Sequence, residues 1–596
     1  MLSGLGAPGC VGNSDDRSDA DTVTTTPPKA TVEVLTRLDN DFSEFATGFC
    51  SGKYLLWLGS GISRDIVPNV PTMLRKVLEF VRSRIEPTNP HCRFGRALDD
   101  MLTIAGLPSA TLAAIDRAVT VHSWASIEDI VNRLQDKYSD VLDIPVDGEA
   151  EDYLVWTAID VVGTYGDPHL EPGAEHLCVA ILMLEGTIKT ALTTNWDGLV
   201  ESAMAQLSGD VDRYLDVIVR AEDFSQTRDQ VALVKFHGCA VRAGANETEY
   251  RRRLIARKFQ ISGWNARPEN ARMKGFLEHQ FAVRNAFIAG LSVQDENIQS
   301  IFHQAIESLH RDWPHTPPAV VFAEEGLHLN HRHVLRTTYG DATYTTNRYE
   351  IDQSAVLGAY AKPALIALVL LVLTDKLVSL ISYATETPMS APDIARLGSD
   401  LRDLRDFAAG HADADPRGFV ESLGALVTFA LSIFTKGCAP DPAAPSYHQI
   451  SVLPIAAATI NPYFPSASLG RLAIAIALLA RGLVERLWKL GLGEAASPSR
   501  GVVQVISFRQ MSRLFFVRDP NSLSQLQLEG IIDLDDDKIV IVQADAGKPP
   551  ATRSPAPSYG RIGASGARQV IIEDLYRSVD TADELYEAFR LGAVLP

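Results

Sequence analysis

The feature that most constrains the fold of this chain is a series of short apolar runs, each of which ends at glycine or at a polar residue. Runs of this kind are typical of buried strands that lead into a tight turn. Helical stretches lie between them, and this alternation is typical of parallel strands joined by helices. The sequence therefore predicts an α/β fold with a doubly wound parallel sheet and a ligand at the carboxyl ends of its strands. The predicted strands are residues 54–58, 190–193, 231–236, 286–289 and 319–323.

The chain divides into three predicted parts. Residues 1–28 are rich in Gly, Ser, Asp, Thr and Pro and are predicted to be a disordered leader. Residues 29–350 hold the predicted strands, with a helical insertion at about 71–173. Residues 351–596 are predicted to be a C-terminal assembly or sensing domain, mainly helical with a small β-rich part. Its predicted elements are helices through residue 490, β-rich runs at 502–508 and 531–542, a Pro/Gly/Ser linker at 547–566 and a final helix at 582–591.

Charge and cysteine content argue against several classes of protein. The chain carries 74 acidic and 55 basic residues, a net charge of −19, which disfavours direct binding to a nucleic-acid backbone. No two of its six cysteines form a C-x-x-C pair, so no metal site is predicted. The G-x-x-x-x-G-K-[ST] motif of P-loop ATPases is missing as well. We expect a cytoplasmic protein.

Two apolar runs, residues 364–373 and 472–480, raise the question of a membrane. Charged residues interrupt each run within about a dozen residues: Asp375 and Lys376 in the first, Arg481 in the second. A membrane-spanning helix needs about 20 apolar residues. Both runs are therefore predicted to be buried helices, and no membrane contact is expected.

Glycines follow the first predicted strand, in Gly59-Ser60-Gly61-Ile62-Ser63. Glycine lets backbone N–H groups approach a pyrophosphate, whose charge the start of the next helix stabilises. An ordinary strand-to-helix connection can have the same residues, so this motif alone leaves both interpretations open. A second glycine turn, Ala289-Gly290-Leu291-Ser292, follows a later strand and could hold the adenosine side of a dinucleotide.

Polar side chains follow two other predicted strands. Asn195 and Asp197 could contact a ribose, a water or a carboxamide, although both residue types also favour helix starts. His237 is a candidate general base, with Gly238 leaving room for substrate beside it. A histidine in this position is otherwise simply a satisfied polar group. Because parallel strands end at one edge of a sheet, these residues are predicted to face one crevice.

Two further clusters are predicted to carry no special chemistry. His328, His331 and His333 match no zinc signature and are predicted to lie in a solvated loop. The basic stretch that begins at Arg251-Arg252-Arg253 is predicted to be a solvated helix face.

In their order along the chain, the four motifs resemble the sirtuin-like NAD-binding fold, which is Rossmann-like. That fold has a Gly-Ala-Gly-x-Ser loop, a Thr-x-Asn-x-Asp segment, a His-Gly dipeptide and a late Gly-x-Ser turn. The resemblance covers about residues 50–325, and Pro68 agrees with the family's proline-containing cofactor loop. It implies NAD+ as the substrate, with Asn195 at the nicotinamide ribose and His237 as the base. The dinucleotide-binding residues that it implies are Gly59, Ser60, Gly61, Ser63, Pro68, Asp197, Gly290 and Ser292.

The sequence departs from the deacetylases of this family, which carry four zinc-binding cysteines between the His-Gly and Gly-x-Ser segments. Only Cys239 lies in that interval. The chain is instead more similar to the bacterial sirtuin-like NADases of anti-phage defence, which implies hydrolysis of NAD+ to ADP-ribose and nicotinamide. This similarity also implies a homo-oligomer and a protein partner, a HerA-type ATPase in preference to a short Argonaute. A non-catalytic NAD or ADP-ribose sensor is the alternative, and a protein deacetylase is less favoured.

Overall fold

The computed structural model describes residues 29–228, 230–307, 311–384, 389–441, 446–508, 510–547 and 566–596. Within them, six parallel strands form one sheet in the order β3-β4-β2-β1-β5-β6. The predicted doubly wound sheet is therefore confirmed. Its strands are β1 Tyr54–Leu58, β2 Thr190–Thr193, β3 Leu215–Ile218, β4 Val231–Lys235, β5 Asn285–Ala289 and β6 Val320–Ala323.

The central strand β1 is buried because helices cover both faces of the sheet. Leu56 and Leu58 belong to the core on one face, together with residues of helices on that side. Leu55 and Trp57 belong to the core on the other face, where the Trp57 ring stacks on Phe302 with centroids 4.8 Å apart. A strand that is covered on both sides has an apolar residue at every position, which is why the sequence pattern revealed it.

Helices flank the sheet and also form the insertion. Before β1, the chain forms two helices, α1 and α2, separated by a turn at residues 40–42. Helices α3 to α8 lie in the insertion, and all of them except α5 contribute to a second hydrophobic cluster, which also includes Leu199, Ala240 and Leu254. The helices are α1 Thr31–Asp39, α2 Ser43–Cys50, α3 Val70–Arg82, α4 Arg93–Ala105, α5 Ser109–Ala113, α6 Ile127–Gln135, α7 Tyr138–Leu142, α8 Val161–Tyr165, α9 Ala174–Leu184, α10 Leu199–Ser208, α11 Val211–Tyr214, α12 Ala240–Ala245, α13 Glu247–Tyr250, α14 Lys258–Gly263, α15 Ala271–Val283, α16 Glu296–Glu307, α17 Leu329–Tyr339, α18 Asp341–Thr346 and α19 Arg348–Ala355.

The basic stretch after α13 faces the insertion, so its prediction as a solvated helix face was wrong. Residues Arg251–Arg253 form a short 3₁₀ turn. Arg251 donates from Nε and Nη2 to the two carboxylate oxygens of Asp152, each at 2.7 Å. Arg257 pairs with Asp143 at 3.4 Å. These arginines therefore hold the insertion against the sheet domain.

The C-terminal region combines long apolar helices with a second sheet. Its strands lie in the order β11-β10-β9-β8-β7, in which β7 to β9 are antiparallel and β9 to β11 are parallel. The predicted leader and nearly all of the predicted linker, residues 548–565, lie outside the described residues. The elements are α20 Ala361–Ile381, α21 Ala391–Ala409, α22 Pro416–Lys436, α23 Ile455–Ala458, α24 Ser466–Val484, β7 Lys489–Leu492, β8 Val503–Ile506, β9 Met511–Val517, α25 Pro520–Leu528, β10 Ile539–Gln543, β11 Arg568–Ile571, α26 Ile572–Arg577 and α27 Ala582–Ala593.

Three of these helices, α20, α22 and α24, are long and apolar enough to cross a membrane by length and composition. Most of the apolar stretch of α20 and of α24 is buried in the fold, and less of that of α22. The two charges expected to interrupt the first run, Asp375 and Lys376, lie within α20. Both predicted runs are thus buried helices in this structure, although the helices are longer than the runs.

The C-terminal helices share a core with the first sheet. One hydrophobic cluster contains residues of β1, α9, α20, α24 and β10. At its centre lies a buried ion pair, in which Lys376 Nζ donates to Glu185 Oε2 at 2.5 Å and to Ser451 O at 2.6 Å. Glu185 Oε1 accepts from Tyr447 Oη at 2.8 Å. Polar groups from three segments therefore satisfy one another inside this core.

Candidate active site at the carboxyl ends of the central strands

Two glycine turns pack backbone to backbone after β1 and β5. The Gly61 amide donates to Gly290 O at 2.9 Å, and Gly290 has a φ of +65°. A Cβ on Gly59 would lie 2.4 Å from Gly290 O, and one on Gly61 would lie 2.6 Å from Gly290 Cα. Glycine is therefore required at all three positions by the approach of the two turns. Contact with a pyrophosphate stays a prediction.

Ser63 is the centre of a buried hydrogen-bond cluster. Its hydroxyl lies 3.0 Å from His176 Nε2 and 3.0 Å from Asp197 Oδ2, and it accepts from Asn195 Nδ2 at 3.2 Å. His176 Nδ1 accepts from the Gly173 amide at 3.1 Å. These five residues come from three separate segments of the chain, and they meet beside the end of β1.

The partners fix the direction of every bond in this cluster. Because His176 Nδ1 accepts, the imidazole proton is on Nε2, which donates to Ser63. Ser63 then accepts two bonds and donates its own proton to the Asp197 carboxylate. Burial lowers the pKa of His176 to about 4, so this imidazole is neutral at physiological pH. Ser63 is therefore a bridge between Asn195 and Asp197 rather than an activated nucleophile.

Asn195 has one unused group. Its Nδ2 donates to Gly59 O and to Ser63 Oγ, both at 3.2 Å, whereas its Oδ1 is buried with no hydrogen-bond partner among the described residues. A buried polar atom without a partner costs about 1–3 kcal/mol. The carbonyl of Asn195 is thus an acceptor that awaits a donor, as a ribose hydroxyl or a water would supply.

Asp197 is occupied by the protein itself. Besides the bond from Ser63, its Oδ1 accepts from the Leu199 amide at 3.2 Å, at the start of α10. Asp197 therefore accepts a hydrogen bond at the start of a helix, as one of the two interpretations predicted, and it is also part of the Ser63 cluster.

His237 occupies the position after β4 that corresponds to Asn195 after β2. Thr193 pairs with Lys235 in the parallel ladder, so Asn195 and His237 both lie two residues beyond the last paired position. Trp196 links the two loops, because its Nε1 donates to His237 O at 3.1 Å. The two predicted catalytic residues therefore belong to neighbouring strand ends.

The imidazole of His237 is deeply buried and bonded to Asn297. Its Nε2 lies 2.9 Å from Asn297 Nδ2, in the first turn of α16. Burial lowers the pKa of His237 to about 3, so the side chain is neutral at physiological pH. Asn297 resembles Asn195 in one respect, since its Oδ1 is also buried without a partner among the described residues.

The other predicted ligand residues surround this site less closely. Ser60 and Ser292, one in each of the two glycine turns, are exposed. Pro68 O accepts from Tyr165 Oη at 2.9 Å, which joins this loop to the insertion. Two cavities, of about 390 and 530 Å³, lie away from Asn195 and His237. The larger one follows β6 and is lined by residues such as Arg332, Arg348 and Tyr349.

Two site residues were not predicted, His176 and Asn297. His176 is the one histidine in the apolar helix α9, and Asn297 follows Gly290 by seven residues. Two polar residues, Glu175 and His176, at the start of a helix that is otherwise apolar were a usable signal for the first. Neither residue belongs to a motif, because each acts through a partner from a distant segment.

The histidines after β6 do not form the predicted solvated loop. His331 lies in α17 with no exposed surface, and its Nε2 donates to Leu291 O at 3.1 Å. Among the described residues, no group of three His, Cys, Asp or Glu side chains could hold a metal ion.

Replacing His331 with glutamine should make the stability of the protein less sensitive to acid. Burial lowers the pKa of His331 to about 4, whereas an unfolded histidine has a pKa of about 6.5. Between these values the unfolded chain binds more protons than the folded chain does. The contribution of His331 to the free energy of unfolding is therefore complete above about pH 6.5, and it falls by about 1.4 kcal/mol per pH unit as the pH drops toward 4. The difference in melting temperature between the wild type and the variant should therefore become smaller as the pH is lowered from about 7 to about 5.

The control for this prediction is His279→Gln, at an exposed position of α15. The melting temperature of His279→Gln should differ from that of the wild type by the same amount at every pH in this range. If the difference in melting temperature between His331→Gln and the wild type also stayed constant with pH, the buried imidazole would not resist protonation in the folded chain.

Comparison with known proteins agrees with this geometry. Residues 189–340 match a family described as a SIR2-like domain. The matched segment contains Asn195, His237, Gly290 and Asn297, and it begins after β1 and its glycine turn. No curated protein matches the chain. Residues 189–340 are therefore similar to a SIR2-like domain, and this similarity suggests an NAD-related activity.

Proposed function

We propose that this protein hydrolyses NAD+ to ADP-ribose and nicotinamide. The observation that carries the proposal is the unpartnered carbonyl of Asn195, buried beside the glycine turns in a SIR2-like domain. The nicotinamide ribose supplies hydroxyl donors of the kind that this carbonyl needs. The residues present therefore fit the ribose end of a dinucleotide.

In this proposal Asn195 orients the reacting groups. Cleavage of the bond between nicotinamide and ribose passes through an oxocarbenium-like state, so catalysis depends on groups placed around the ribose. The donors of Asn195 are held by Gly59 and Ser63, which fixes the direction of its free Oδ1. That oxygen accepts from the attacking water or from a ribose hydroxyl.

His237 is the proposed base, since it is neutral and lies at the neighbouring strand end. It takes a proton from water or from a ribose hydroxyl. Lys235, the last residue of β4, is not free for this task, because it is buried and donates to Glu201 at 2.8 Å. The exposed turns at Ser60 and Ser292 would take the phosphates and the adenosine side.

A non-catalytic NAD or ADP-ribose sensor is the second candidate. It is favoured by the state of His237, whose Nε2 is already bonded to Asn297 and whose basicity burial reduces. A protein deacetylase is a weaker candidate, because the sequence lacks the paired cysteines of the zinc ribbon.

We place this activity in anti-phage defence in the cytoplasm, where hydrolysis would deplete NAD+ in infected cells. Helix α22, whose apolar stretch is less buried than those of α20 and α24, offers apolar surface for self-association. Since the chain has no P-loop motif, any ATP-driven step needs a partner, for which a HerA-type ATPase is proposed ahead of a short Argonaute.

Incubation of the full chain with NAD+, alone and with the product of its neighbouring gene, tests the proposal. We expect release of nicotinamide and ADP-ribose in equal amounts, measured by chromatography, and no deacetylation of an acetylated peptide. Binding of NAD+ by calorimetry without turnover in either sample would support the sensor instead. Deacetylation dependent on NAD+ would overturn both.

A further inference from the structure

Asn297 lies where it can control the imidazole of His237. It is 1% exposed, and its Nδ2 is 2.9 Å from His237 Nε2. Asn297 is in the first turn of α16, which follows β5, whereas His237 follows β4. Strands β2 and β1 lie between β4 and β5 in the sheet. The contact therefore joins two loops across the carboxyl ends of the two central strands.

The contact determines which nitrogen of His237 carries the proton. An amide nitrogen can only donate, so His237 Nε2 must be the acceptor and must lack a proton. In a neutral imidazole the proton is then on Nδ1. In the ligand-free chain the lone pair of Nε2 is used by Asn297, so it is not available to a substrate.

The second group of Asn297 has no use inside the protein. Its Oδ1 is buried without a partner among the described residues. Asn195 Oδ1, in the loop after β2, is also buried without a partner among the described residues. Asn195 and Asn297 thus each donate to a protein group through Nδ2. Each also has an Oδ1 that can accept a hydrogen bond from a donor outside the described residues.

We propose that Asn297 is the residue that positions His237, fixing its Nδ1-protonated tautomer, and that its free carbonyl accepts a hydrogen bond from the ribose end of the substrate. This inference rests on the proposed NAD+ hydrolysis and names a further residue of that site. When a donor engages Oδ1, the amide rotates with it, and the bond to Nε2 is released for proton transfer.

Other titratable groups near this turn are engaged elsewhere. Asp295 accepts from Tyr138 Oη at 2.8 Å, and Glu296 pairs with Lys258 at 2.6 Å. None of them has a hydrogen bond to His237 among the described residues. Burial raises the pKa of Asp295 to about 6, so Asp295→Asn is needed as a reference in any measurement of pH dependence.

The first test measures NAD+ cleavage against pH for the full chain with Asn297→Ala and Asn297→Asp. Loss of positioning in Asn297→Ala should lower kcat by about 100-fold with little change in the shape of the pH profile. In Asn297→Asp a carboxylate faces Nε2 and favours the protonated imidazole. Its acid limb should therefore move to higher pH, with activity recovering as the pH rises, and the same shift should persist in the Asp295→Asn background.

The matched control is Gln280→Ala, in α15, which removes another buried amide oxygen without a partner. It should leave kcat and the pH profile unchanged. If Asn297→Ala retains kcat within about threefold of the wild type, or if both Asn297 variants lose activity with the same pH profile, the positioning role is overturned.

A second test does not depend on activity. Two-bond ¹H–¹⁵N spectra of the histidine-labelled chain, assigned with His237→Gln, should show His237 with its proton on Nδ1, and Asn297→Ala should remove this preference. A proton on Nε2 in the wild type overturns the inference. Failure of the wild type to cleave NAD+ would instead refute the proposed function. The NMR measurement of the His237 tautomer would still test the positioning role of Asn297 in that case.

Discussion

Replacing Asn195 with alanine should lower NAD+ turnover by about 100- to 1000-fold, the largest effect that we expect on activity. The variant removes an amide whose carbonyl is buried beside the glycine turns and has no partner among the described residues. It also leaves Gly59 O and Ser63 Oγ without a donor from this side chain. His237→Ala should produce a loss of similar size. Nicotinamide release by the full chain measures both.

Asn195→Asp separates orientation from the mere presence of an acceptor. It keeps an oxygen in place of Oδ1 but sets a carboxylate against Gly59 O, close to Asp197, so it should be as inactive as the alanine variant. Asn40→Ala, at an exposed position after α1, is the control and should have wild-type activity. Retention of more than about a tenth of the activity by Asn195→Ala would contradict the assignment.

Replacing Lys376 with methionine should destabilise the protein by about 3–5 kcal/mol, the largest effect that we expect on stability. Lys376 and Glu185 are buried, with side-chain exposures of 3% and 0%. Removal of the ammonium leaves the Glu185 carboxylate buried without its counter-charge, and that loss exceeds the packing gained from methionine. Denaturant titration followed by tryptophan fluorescence and circular dichroism measures the change.

The double variant Lys376→Met, Glu185→Gln provides the comparison. Glutamine can still accept from Tyr447 through its carbonyl oxygen but carries no charge, so the double variant should be more stable than Lys376→Met alone. Arg133→Met removes an exposed pair with Asp129 in α6 and should cost less than about 1 kcal/mol. Equal losses in the Arg133 and Lys376 variants would show that burial of the pair has no energetic consequence.

How much of the first sheet could be predicted depended on burial. Every residue of β1 and of β5 is buried, and such strands appear in the sequence as apolar runs. Strand β3 was not predicted, because it is an edge strand of four residues with Asp216 inside it and two partly exposed positions. In the second sheet, β8 and most of β10 lie in the predicted β-rich runs, whereas the edge strand β7, where Lys489 is exposed, was not predicted.

The candidate site was predictable where a residue directly follows a strand. Asn195 and His237 were found in this way, because parallel strands bring their carboxyl ends together. His176 and Asn297 were not found, since their roles depend on Ser63 and His237, which are distant in sequence. The glycines show a different limit. Their pattern suggested a phosphate, whereas the structure gives them a sufficient reason in the close packing of two turns.

Helix α9 has a consequence for how distant parts of the protein communicate. Its first turn carries His176, which is bonded to Ser63, and its C-terminal cap is Glu185, which is paired with Lys376 of α20. Eleven residues of α-helix form a rod of about 16 Å. If α20 were displaced, we expect the contacts at the two ends of this helix to carry the movement to His176 and Ser63. Helix α20 of the C-terminal region is thus joined to the Ser63 cluster through buried polar contacts at both ends of α9.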